Sequence, residues 1–172
     1  MSHPVVFALF ADASAAAAAA RELRALGVPR ERVSIVARTH DDEGAIAQAS
    51  GASPGSEIED SSMATRLGEL SAHLIAAIAL VMPGIGPIVV DGPLAADLGE
   101  AAGHLAGGIA PSLERAGFDH ATAKHWETSI RAGSILVGAH VSDAYVSRVR
   151  DALTQTGGGH VTTGTWPDME SR

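Results

Sequence analysis

Short apolar runs, helical stretches and glycine breaks alternate along this chain. Residues 5–10 (VVFALF), 33–37 (VSIVA) and 135–139 (ILVGA) are brief, nearly continuous apolar runs rich in β-branched residues, the pattern of strands buried on both faces. Residues 13–26 are dense in Ala, the best helix former, and predict a helix with Asp12 or Ser14 at its N-cap and Gly27 as its stop. Residues 120–131 predict a second such helix, capped by Asp119 and closed by Gly133. A third helix starts at Ser142 or Asp143, reaches Thr156 and is broken by Gly157, Gly158 and Gly159. Residues 161–166 (VTTGTW) predict a fourth strand, less apolar and so placed at a sheet edge, with a loose tail from Pro167.

The two ends therefore repeat one order of strand, capped helix, glycine turn and strand. The expected fold is α+β: a ferredoxin-like, four-stranded antiparallel sheet from two β-α-β halves, residues 5–38 and 134–166. A large Gly/Ala-rich helical insertion, residues 63–133, separates strands 2 and 3 after a polar linker at 39–62 rich in Gly, Ser and acids. All 172 residues form a single domain. The insertion is expected to pack on the sheet's other face or between two subunits.

The longest stretch without an acid, Lys or Arg, residues 70–90 (LSAHLIAAIALVMPGIGPIVV), lies within that insertion. It predicts the end of a helix over 63–82, stopped by Pro83, then a short extended segment at 88–90. Helices follow from Pro93 to about Ala106 and from Ser112 to Ala116. The stretch has the length to cross a bilayer, about 20 residues. Its second half carries two prolines and two glycines, Glu69 and Asp91 bound it, and no Lys or Arg flank sets an orientation. A core hairpin is the expectation, with peripheral membrane association as the alternative. Its small residues also suit close packing between subunits, so a homodimer is expected.

Composition narrows the chemistry. A formal charge of -8 with no basic cluster argues against nucleic-acid binding, and 3% aromatic residues leave few base-stacking platforms. With no cysteine there is no disulfide or thiolate metal site. That and the lack of a basic, signal-like start give a cytoplasmic expectation. No Gly-x-Ser-x-Gly elbow is present, and GIGPIVVDGP lacks dinucleotide-binding spacing, so no catalytic constellation or organic cofactor is indicated.

Three phrases carry a resemblance: VVFALFADASAAAAAARELRALGVPRERVSIVAR at 5–38, MPGIGPIVVDGPLAADL at 82–98 and AGFDHATAKHWETSIRAGSILVGAHVSD at 116–143. Together they resemble a family of small bacterial general stress proteins, the heat-induced or low-temperature-induced stress-protein domains. One departure is visible, since relatives tend to carry two aromatics where this chain has His125-Trp126. The resemblance implies a stress-related role with no settled biochemical activity, and it brings no catalytic residues to transfer. With no catalytic constellation in the sequence, the expectation is a non-enzymatic protein that acts through self-association or an unknown protein partner.

One pattern points to a ligand. Glu69 and His73 are four apart, as are Glu100 and His104, so each pair shares a helix face. Helices packed antiparallel across the central turn would let the four converge, as carboxylate and imidazole ligands do in metal-binding bundles. Di-iron bundles use Glu-x-x-His instead, and the competing reading is a polar stripe. The remaining histidines, His120, His125, His140 and His160 among them, read as surface or capping residues.

Overall fold

The computed structural model describes residues 2–38, 73, 77–82, 85–102 and 108–167. The linker at 39–62 and the end of the tail lie outside the described residues. Strand β1 (His3–Phe10) leads to helix α1 (Ala13–Ala25), a 3-10 turn (Arg30–Arg32) and β2 (Val33–Arg38). Strands β3 (Ile78–Met82) and β4 (Gly86–Asp91) precede helices α2 (Pro93–Ala102), α3 (Ile109–Arg115) and α4 (His120–Arg131). Strand β5 (Ile135–His140), a 3-10 turn (Asp143–Tyr145), α5 (Val146–Gln155) and β6 (Gly159–Trp166) follow as the last of the described elements.

The protein is α+β, with a six-stranded sheet in the order β3-β4-β2-β5-β1-β6, antiparallel throughout. Six strands replace the expected four because the insertion is not wholly helical. Residues 78–82, read from sequence as the end of a helix, form β3. They pair with β4 from Ile78↔Val90 to Met82↔Gly86, and the Ile85 N–H donates to the Met82 carbonyl to close the turn. A continuous Ala/Ile/Leu/Val run has no period that separates helix from strand, so the cross-strand partner decides. β6 is an edge strand, as its Thr-rich pattern predicts.

Helices cover both faces. One core joins α1 and α5 to Val6, Ala8 and Phe10 of β1, Val33, Ile35 and Ala37 of β2, and Val137 and Ala139 of β5. Ala16, Ala19 and Ala20 are buried, and small side chains there let α1 lie close to the strands. The opposite core sets Leu94 and Leu98 of α2, Leu113 of α3, and Trp126 and Ile130 of α4 against Val5, Phe7 and Leu9 of β1. The insertion's helices thus sit on the sheet's other face. A central strand sandwiched this way buries both sets of side chains, which is why β5 reads as one apolar run.

Caps set the helix starts. Asp12 accepts from Ala15 N at 2.8 Å, and Asp119 from Thr122 N at 3.0 Å and Thr122 Oγ1 at 2.6 Å. These bonds favour the ionised carboxylate and hold Asp119 below the usual carboxylate range. The last helix departs from expectation: residues 143–145 form a 3-10 turn, and neither Ser142 nor Asp143 supplies a side-chain cap for α5.

α3 begins at Ile109, three residues before its predicted start. The reason is a cap from far along the chain: Glu127 Oε2 of α4 accepts from Ala110 N at 2.8 Å. Glu127 is buried, with Lys124 Nζ at 3.5 Å and Arg131 Nη2 at 3.8 Å from Oε1. Glu127→Ala would leave the Ala110 N–H unpaired and should cost about 1–3 kcal/mol in a urea titration. Glu127→Gln keeps an acceptor and should cost less. Equal losses would mean that the side chain's bulk, rather than its bond to α3, matters.

Candidate functional site

Only two of the four expected metal ligands, His73 and Glu100, fall among the described residues. Glu69 and His104 lie outside them, and Glu100 is a helical position near the end of α2. His73 is placed beside α1, with its Nδ1 3.1 Å from Arg24 Nη1, which commits one ring nitrogen to a protein hydrogen bond. Among the described residues no group of three or more His, Asp or Glu is arranged to hold a metal. No described helix is long and apolar enough to cross a membrane.

Two features stand out where β1, β5 and β6 run side by side. The first is a histidine in the core. His140 ends β5, as expected, but is 3% exposed rather than at the surface. Alternation along β5 turns it toward the face covered by α2, α3 and α4. There it meets Trp166 edge-on at 4.7 Å and Phe7 at 6.4 Å between ring centroids. Phe118 packs edge-on against Phe7 at 5.5 Å and Trp126 at 4.7 Å. Most of the chain's few aromatic rings are spent on this one cluster.

His140 Nδ1 lies 2.9 Å from His3 Nε2, while His140 Nε2 and Trp126 Nε1 are buried with no hydrogen-bond partner among the described residues. Burial disfavours the imidazolium, and the charges of His3 and Arg32 add to this, so the His140 pKa falls to about 3. It is neutral wherever the protein works near pH 7. The neutral ring packs among aromatic side chains and shares a hydrogen bond with His3.

The second feature is the outer edge of β6. The Pro4 carbonyl accepts from Val141 N on the β5 side, so Val5 and Phe7, one residue out of phase, bond toward β6. Their partners Gly164 and Thr162 use their backbone groups inward. Thr163 and Thr165 therefore direct N–H and C=O away from the sheet. The turn at Gly117 (φ +88) lies against the Thr165 backbone so closely that a Cβ there would fall 2.5 Å from its carbonyl oxygen. Thr163 is exposed, and its Oγ1 takes a hydrogen bond from Arg150 Nη1 at 3.0 Å. At the start of β6 the ladder shifts: His160 and Val161 together face Ala8, a β-bulge.

Sequence reasoning found the edge strand but missed the burial of His140 and the cap made by Glu127. A signal for the first existed, since His140 closes an apolar run on a strand covered from both sides. None existed for the second, because Ala110 and Glu127 are joined only by the tertiary fold.

The class defined by this architecture is an α+β protein with an open antiparallel sheet covered by helices on both faces. Compared with known proteins, the chain matches no family model, no curated protein and no solved structure.

Proposed function

We propose that this is a non-enzymatic stress-response protein of the cytoplasm that acts by self-association and partner binding, on a ferredoxin-like core. The strand order β2-β5-β1-β6 supports the core, together with α1 and α5 on one face linking β1 to β2 and β5 to β6. The β3–β4 hairpin and α2, α3 and α4 then constitute the insertion. The stress role rests on the resemblance carried by residues 5–38, 82–98 and 116–143.

One observation carries the binding: Thr163, an exposed residue on an edge strand, directs its backbone N–H and C=O away from the sheet. Unpaired edge groups are a template for another strand. The bulge at His160 and the turn over Thr165 limit the open length, so the pairing is short and reversible. A second copy meets this edge antiparallel, about a two-fold axis.

Sedimentation velocity across a concentration series tests this on the full chain. The wild type should pass from monomer to dimer. Thr163→Pro, which deletes the outward donor, should remain monomeric with an unchanged far-UV spectrum. A wild type that stays monomeric throughout, or a folded Thr163→Pro that associates equally well, would overturn the reading.

A further inference from the structure

We propose that His125 and His160 form a site for a divalent transition-metal ion of the zinc class, bridging α4 and the bulged start of β6. The rings belong to elements far apart in sequence, yet their centroids are 4.1 Å apart with planes inclined at 46°. Both residues are exposed. His125 precedes the buried Trp126 on α4, which fixes the helix rotation that carries His125 to the sheet's β6 side.

The backbone of His160 is the second observation. Its φ is +50, and no other described non-glycine residue has a positive φ. It occupies the first position of the bulge, where the left-handed conformation ordinarily selects glycine. Gly157, Gly158 and Gly159 stand immediately before it, so glycine is plentiful in this turn, yet the strained position carries an imidazole. Such a position costs a non-glycine residue about 1–2 kcal/mol. Strain of this kind is held where a side chain must be aimed, and here it sets the ring beside His125.

Imidazole nitrogen suits zinc, nickel and copper(II) and does not suit magnesium or calcium. Two ring nitrogens at bonds of about 2.0–2.1 Å leave the remaining tetrahedral positions to water, which the exposed setting supplies. Neighbouring groups are already engaged: Lys124 with Glu127 at 3.5 Å, and His120 Nδ1 with Glu114 Oε1 at 2.8 Å. Binding requires deprotonated rings and so weakens in acid. A metal that binds only the folded chain would tie the edge strand to α4 and raise the melting temperature. This site shares no residue with Glu69, His73, Glu100 or His104.

Zinc titration calorimetry and thermal melts with and without zinc test the site. Variants His125→Ala and His160→Gly keep the fold, because alanine suits an exposed helix position and glycine suits φ +50. Each should weaken one zinc equivalent by about tenfold or more and abolish the zinc-dependent rise in melting temperature. His120→Ala should bind as the wild type does. The proposal is overturned if the wild type binds no zinc, if the double variant His125→Ala/His160→Gly binds it equally well, or if His120→Ala loses it to the same extent.

Discussion

Gly138→Ala should destabilise the protein by about 3 kcal/mol or more, the upper end of the overpacking range. A methyl group at this position would sit 2.0 Å from Phe7 Cδ1 and 2.4 Å from Cγ and Cε1. Gly138 and Phe7 are direct partners across the β1–β5 ladder, so the Phe7 ring lies over the bare backbone. That ring has nowhere to move: it is fully buried, with Phe118, Trp126 and His140 around it. Relief would require moving β1 from β5 or reopening the aromatic cluster. Against a total stability of about 5–15 kcal/mol, the loss is a large fraction. Urea unfolding followed by the fluorescence of Trp126 and Trp166 measures it. Gly27→Ala is the comparison, since no described residue lies within 4 Å of its Cβ and its φ of +91 opposes the change, at about 1–2 kcal/mol. If Phe7 is the obstacle, the double variant Gly138→Ala/Phe7→Leu recovers part of the loss. A cost for Gly138→Ala no greater than for Gly27→Ala would show that the ring is not held as described.

The second large effect is on acid stability. His140 binds a proton in the native state only near pH 3, whereas in the unfolded chain it does so near 6.5. Between these values the unfolded state holds the extra proton, so stability falls as pH falls. Above about 6.5 both states are neutral at this group and it contributes no pH dependence. From pH 6.5 to 4.5 the buried imidazole should remove about 2 kcal/mol. His140→Leu preserves the volume and deletes the titration. Its stability should decline less over the same interval, by that amount, since the carboxylates titrate in both proteins and cancel. Identical slopes would mean that His140 is reached by solvent and charged without unfolding.

Both effects arise at places the sequence half discloses. The repeated strand–helix–strand order, the caps at Asp12 and Asp119 and the edge character of β6 are legible because each depends on residues close together in the chain. β3 is not legible: residues 78–82 suit either helix or strand until residues 86–90 pair with them. The early start of α3 rests on Glu127, seventeen residues beyond Ala110. The same holds for the histidines. His140 looks like a strand-end surface residue until helices cover both faces of β5, and His125 and His160 become neighbours only once α4 packs across the sheet toward β6. Periodicity reports which face a residue takes within its own element, and only tertiary packing decides what that face meets.

The proposed pairing of the outer β6 backbone with another strand is tested most directly by hydrogen exchange resolved by residue. Thr162 and Gly164, bonded inward to β1, should be protected at every protein concentration. The Thr163 amide should exchange rapidly in dilute solution and become protected as concentration rises. Thr163 protection that is already high in dilute solution, or rapid exchange that concentration leaves unchanged, would contradict an edge used for self-association.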